Sequence, residues 1–238
     1  MTAAVPSVIA QDLAADLAIA SFTLAQRFSA GATMWCVAPA FAPHAHHIAV
    51  EFVHPVIVGK RALPAVALTG PDLLGQVRVS ARAGDVVIAV AAADERDVRA
   101  VMRRAAAWGV TTIWIGNGDR PQHGAADHVL WLDDQDPALP ATGEFVLLYH
   151  LLWELTHVCF EHPGLLTPSR ECTDDVCITC SDEGRLGEVI TAAHADGSAS
   201  VRTATGTETV VTALTGPLSP GDLVLVHAGM AISRLSED

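Results

Sequence analysis

The sequence predicts an α/β protein in two parts: an N-terminal three-layer domain on a parallel sheet, and a small C-terminal antiparallel β-barrel. Three observations predict it. Between residues 65 and 132, short and continuously apolar runs alternate with segments of helical period, as in strands covered by helices on both faces. Beyond His162 the helical period gives way to short runs separated by Gly and Asp turns. Between these regimes lies a punctuated stretch with Pro163, Gly164, Pro168 and Ser169, followed by acidic, Cys-rich sequence from Glu171 to Glu183. The domain reading is residues 1–165, a linker at 166–176, and a barrel at 177–238.

Taken in order, residues 7–29 place Val8, Leu13, Leu17, Phe22, Leu24 and Phe28 at helical spacing, and Gly31 follows, where helices commonly stop. Residues 32–39 form a short apolar run, and 42–52 read as a helix. Strands are expected at 65–68, 85–91, 111–115 and 128–132, with helices at 72–80, 95–108 and 145–160. In the C-terminal part, strands are expected at 187–192, 200–203 and 208–214, and a last long strand at 223–235.

Composition limits the function. Half of the 238 residues are hydrophobic and aromatics are few, which suits a packed α/β core. With 27 acidic against 14 basic residues, the formal charge of −13 repels a phosphate backbone, so nucleic acid is not an expected partner. The first twelve residues lack the basic start of a secretory leader, and no apolar stretch approaches the roughly 20 residues that span a bilayer, so a cytoplasmic location is expected. Five cysteines, three of them (Cys172, Cys177 and Cys180) within nine residues, point to metal or thiol chemistry more than to a disulfide framework.

Two constellations carry chemistry. His47 and Glu51 stand four residues apart on an expected helix and project from one face, and His150 lies on the last long helix. Such a set can bind a divalent metal, share acid–base work, or consist of ordinary helix residues. The second is Cys177-Ile178-Thr179-Cys180, whose spacing fits half a zinc site, a redox dithiol or a soft-metal ligand. Zinc would need two more ligands, for which Cys172, Cys159 and His162 are near in sequence; a redox dithiol expects a helix where this sequence is β-rich. His227 interrupts the apolar run 224–232, and alternation places it with Leu225, opposite Val224 and Val226.

The run His46-His47-Ile48-Ala49-Val50-Glu51-Phe52, with residues 63–68, 84–88 and 150–152, resembles the sugar isomerase (SIS) domain of the phosphoheptose isomerase type over about residues 8–160. The resemblance implies an aldose–ketose isomerase fold that forms homo-oligomers, a catalytic and metal cluster at His47, Glu51 and His150, and binding of a sugar phosphate or another carbohydrate derivative. The chain departs from that pattern where an anion would sit. The family's glycine and serine turn is here Val37-Ala38-Pro39-Ala40-Phe41, its hydroxyl-rich loop is Ala91-Ala92-Ala93-Asp94-Glu95, and its metal-site glutamine is Thr142. Each lost charge-assisted hydrogen bond is worth about 1.5–3 kcal/mol. No phosphoheptose isomerase activity is therefore expected.

The last 62 residues, with Gly187-Glu188-Val189-Ile190, the Pro220-Gly221-Asp222 turn and Val224-Leu225-Val226-His227, resemble the HypC/HupF family of hydrogenase maturation chaperones and imply a small OB-like barrel. In that family a cysteine and the histidine of this strand hold iron carrying cyanide and carbon monoxide. The matches are His227 and, in an atypical internal position, Cys177, with Cys180 second. The implied partners are hydrogenase maturation proteins and the hydrogenase large-subunit precursor. The alternatives are a phosphosugar isomerase or carbohydrate-derivative-binding protein with an accessory barrel and, second, a structural zinc module.

Overall fold

The computed structural model describes residues 11–132, 142–166, 184–191 and 197–235. Helix α1 (Gln11–Ser29) buries Leu13, Leu17, Leu24 and Phe28 of the expected stripe, together with Ala20, whereas Phe22 is half-buried and Val8 lies outside the described residues. It stops at Gly31, whose φ of 92° lies in the left-handed region that glycine adopts without strain. Then follow β1 (Met34–Val37), α2 (Pro43–Val53), β2 (Ala65–Leu68), α3 (Leu73–Ser80), β3 (Val86–Val90), α4 (Arg96–Ala105), β4 (Thr111–Asn117), β5 (His128–Leu132) and α5 (Thr142–Glu161).

The five strands pair in parallel in the order β2-β1-β3-β4-β5. All five residues of β3 are buried, as a central strand covered on both faces requires. Met34, Cys36, Ile88, Ile113 and Leu130 face α1, α2 and α5, whereas Val87, Ala89 and Trp114 face α3 and α4. Asp85 locks the entrance to the sheet, since its carboxylate accepts from Thr33 N at 2.9 Å, Trp35 Nε1 at 3.0 Å and Arg82 N at 3.0 Å.

The C-terminal strands β6 (Arg185–Thr191), β7 (Ser198–Thr203), β8 (Gly206–Val211), β9 (Leu223–His227) and β10 (Met230–Leu235) form a separate mixed sheet in the barrel order β10-β8-β7-β6-β9. Its interior holds Val189, Val201, Val210, Val224 and Val226. Two expectations need correction. The expected strand 223–235 is two strands folded on a two-residue turn at Ala228 (φ 48°) and Gly229 (φ 77°), with His227 opposite Met230. Positive φ at both central residues is the hairpin geometry that matches strand twist, and an alanine there gave no turn signal. Pairing is also not wholly antiparallel, because β10 meets β8 in parallel through Met230 and Val211.

The barrel is not a free appendage. Leu223 is buried and Leu186 half-buried against the Trp108 and Val101 side of the α/β core. Arg202 donates to the carbonyls of Arg78 and Ala81, each at 2.9 Å, and lies 5.4 Å from the ring centroid of Trp108. Glu188, 3% exposed, receives Trp108 Nε1 at 2.7 Å and pairs with Arg78 and Arg104.

Candidate functional site

The strand order turns back between β1 and β3, so the chain leaves their carboxyl ends in opposite directions and a crevice opens there, the usual ligand site of open α/β sheets. The residues lining its exits are unsuited to an anion. The N-terminus of α2 has Ala42 at the cap without a side-chain hydrogen bond, Pro43 in its first turn, and Phe41 half-exposed before it. The loop after β3 is Ala91-Ala92-Ala93-Asp94-Glu95, and the Glu95 side chain makes no cap bond to α4. Neither turn offers a hydroxyl, and the second presents carboxylates.

What the fold does assemble is the His/Glu cluster. One turn of α2 separates His47 from Glu51, and α5 packs alongside α2 to bring in His150. His47 Nε2 lies 3.3 Å from Glu51 Oε1 and 3.1 Å from His150 Nε2, and His150 Nε2 lies 3.5 Å from Glu51 Oε1. Ligands at about 2.1 Å from a tetrahedral divalent ion lie about 3.4 Å from one another. The three atoms therefore already stand at the separations that shared coordination imposes, and the donor set of two imidazoles and one carboxylate suits zinc. The side chains of His47, Glu51 and His150 are 39%, 19% and 43% exposed, which leaves an approach for a further ligand.

Tyr149 and His44 were not singled out by the sequence. Tyr149, 1% exposed, has its hydroxyl 2.9 Å from His47 Nδ1; burial, and then the Glu51 carboxylate, push the phenol up to about 12. His44 packs edge-on against Phe41, Phe145 and Tyr149, and burial, then His47, hold its imidazole below the usual range. The signal for Tyr149 was its place beside His150. A separate cavity of about 450 Å³ lies between α1 and the loop before β5, where Arg120 binds Asp16 at 3.0 Å beside His123 and His128. His54 caps the end of α2 with its backbone N–H, which donates to the carbonyl of Val50.

His227 ends β9, half-buried, one residue before the tight turn. It shares the outward side of that strand with Leu223 and Leu225, while Val224 and Val226 point into the barrel. Cys172, Cys177 and Cys180 lie outside the described residues, as does His194. Cys159 is buried on α5, and burial pushes its thiol up, against the thiolate that a metal needs.

Comparison with known proteins decides the C-terminal part. Residues 176–238 match the HupF/HypC family. The HupF/HypC domain thus spans the whole barrel, from the segment bearing Cys177 to the end of the chain. The α/β domain is similar in fold to a phosphoheptose isomerase from Francisella tularensis, with a TM-score of 0.53, 16% identity, and coverage of 60% of this chain and 86% of that one. A phosphoheptose isomerase from Neisseria gonorrhoeae gives a TM-score of 0.49 at 19% identity, covering 61% of this chain and 89% of that one. No curated protein sequence matches the chain. The N-terminal domain therefore has the SIS fold, joined to a HupF/HypC domain. Among the described residues no helix is long and apolar enough to cross a membrane.

Proposed function

We propose that this protein is a hydrogenase maturation factor whose HupF/HypC domain holds an iron fragment bearing cyanide and carbonyl ligands through His227 and Cys177, with Cys180 second. The observation that carries the reading is the family match over residues 176–238. Low-spin iron with carbon ligands is a soft centre, and a thiolate with an imidazole binds it while leaving positions for handover. Asp174, Asp175 and Asp182 disfavour a free thiolate beside Cys177, and coordination overcomes this by taking the proton off. The partners are other hydrogenase maturation proteins and the large-subunit precursor, and the protein acts by transfer rather than turnover.

The SIS domain serves this reading as a platform for homo-oligomerisation and as a second metal site, with a divalent ion held by His47, Glu51 and His150. The spacing of their three atoms supports the metal. The segments 37–41 and 91–95 argue against phosphosugar isomerase chemistry there, since they lack the hydroxyl and glycine cradle that a phosphate needs.

Metal analysis of the full chain, purified without oxygen from cells assembling a hydrogenase, tests the proposal. Iron that co-purifies with the wild type and is lost from His227→Ala supports it. Tightly held zinc at the cysteines with no iron would make the barrel a structural zinc module instead.

A further inference from the structure

The cluster of His47, Glu51 and His150 leaves unexplained why a buried phenol stands behind it. Tyr149 is 1% exposed, next in sequence to His150, and its hydroxyl meets the one ring nitrogen of His47 that does not face the cluster. His47 Nδ1 is 2.9 Å from that hydroxyl, while Nε2 is the atom near Glu51 and His150. The rings of Tyr149 and His47 pack edge-on with centroids 5.1 Å apart, so the contact fixes the plane of the imidazole as well as its edge.

A neutral imidazole has one N–H and one lone pair, and the partner of one nitrogen decides what the other can do. A phenol can donate or accept by rotating its O–H. When it donates to Nδ1, Nε2 carries the proton and cannot ligate. When it accepts from Nδ1–H, the Nε2 lone pair points at Glu51 and His150. We propose that Tyr149 is the positioning residue of this metal site. By accepting the Nδ1 proton of His47, it sets the tautomer and ring orientation that present Nε2 to a divalent cation. The inference rests on the metal reading of the cluster given above. It adds a hydrogen-bond partner behind a metal-bound histidine, a role whose loss typically lowers affinity 10- to 100-fold.

The test is a zinc titration of the full chain with ¹⁵N-labelled histidine. It is followed through the ring nitrogens of His47, so that zinc bound at the cysteines does not register. His47 is assigned by comparison with His47→Gln. In the loaded wild type, Nε2 shows the shift of a metal-bound nitrogen, and Nδ1 keeps a proton with a through-space contact to the Tyr149 hydroxyl. In Tyr149→Phe, the His47 signals respond only at about 10- to 100-fold higher free zinc. A loaded wild type with a bare Nδ1, or Tyr149→Phe responding at the same zinc concentration as the wild type, overturns the role of Tyr149 and leaves the metal site standing. Wild-type His47 signals that ignore zinc overturn the metal site and this inference together. The wild-type spectrum decides the matter even if the variant does not fold.

Discussion

Trp108, in the turn after α4, donates its indole N–H to Glu188 Oε2 at 2.7 Å, across the boundary between the SIS and HupF/HypC domains. The carboxylate is buried, and Arg78 and Arg104 from α3 and α4 pair with its other oxygen. A buried charge held by partners from another domain is costly to strand, because its partners lose their counter-charge without regaining water. Glu188 therefore couples the stability of the two domains.

Removing it should be expensive. Glu188→Ala is expected to destabilise the chain by about 3–5 kcal/mol, the range for breaking a buried ion pair. Urea unfolding followed by tryptophan fluorescence measures this. A midpoint unchanged from the wild type would show that the network adds nothing.

The turn after His227 makes the opposite prediction. Ala228 sits at φ 48°, where an alanine costs roughly 1–2 kcal/mol relative to the right-handed region. Asn followed by Gly is the favoured pair for a two-residue turn of this kind. Ala228→Asn should therefore stabilise the barrel by about 0.5–1 kcal/mol, read as a rise in the thermal midpoint. A fall would mean that the turn is not of this type in solution.

Gly116 on β4 lies against Trp131 on β5, and a Cβ there would come within 2.3 Å of the indole ring and 2.5 Å of the carbonyl oxygen of Ala91. One contact is backbone, so the strain cannot be relieved by moving the ring alone. Gly116→Ala is expected to cost about 1–3 kcal/mol in overpacking. Denaturant unfolding checks it, and a neutral substitution would place the sheet edge differently.

The fold also predicts a pH dependence. Burial holds both His44 and His128 below the ordinary histidine value of 6.5, with His47 adding to the shift at His44, and Asp127 and Asp16 opposing it at His128. A folded value below the unfolded one means that the unfolded chain takes up the proton first. The stabilisation is thus complete above pH 6.5 and is lost as the pH falls from there through the folded values. Unfolding free energy should decline below that pH, and His128→Leu should flatten the decline. An equal slope in the variant would remove His128 from the account.

Most of the architecture could be read from the chain because its signals are local. The apolar stripe of α1 and the continuous runs of β3 and β4 each follow from one periodicity, and the spacing of His47 and Glu51 puts them on one helix face. The approach of His150 depends on how α5 packs against α2, which no local pattern records; its place on the last long helix makes it a candidate, and the family resemblance puts it with His47 and Glu51. Tyr149 stood unremarked beside it. Glu188 is an acid between Gly187 and Val189 in the middle of β6, but its partners lie 80 residues or more away in sequence. The turn at Ala228 was invisible because alanine seldom adopts positive φ.

The central claim is that His227 and Cys177 carry an iron fragment with cyanide and carbonyl ligands. Infrared spectroscopy of the full chain, co-expressed without oxygen alongside a working hydrogenase assembly system, tests it most directly. Cyanide and carbonyl stretching bands should appear in the wild type and vanish in His227→Ala and Cys177→Ala. Bands that are absent from the wild type, or that persist in both variants, would contradict it.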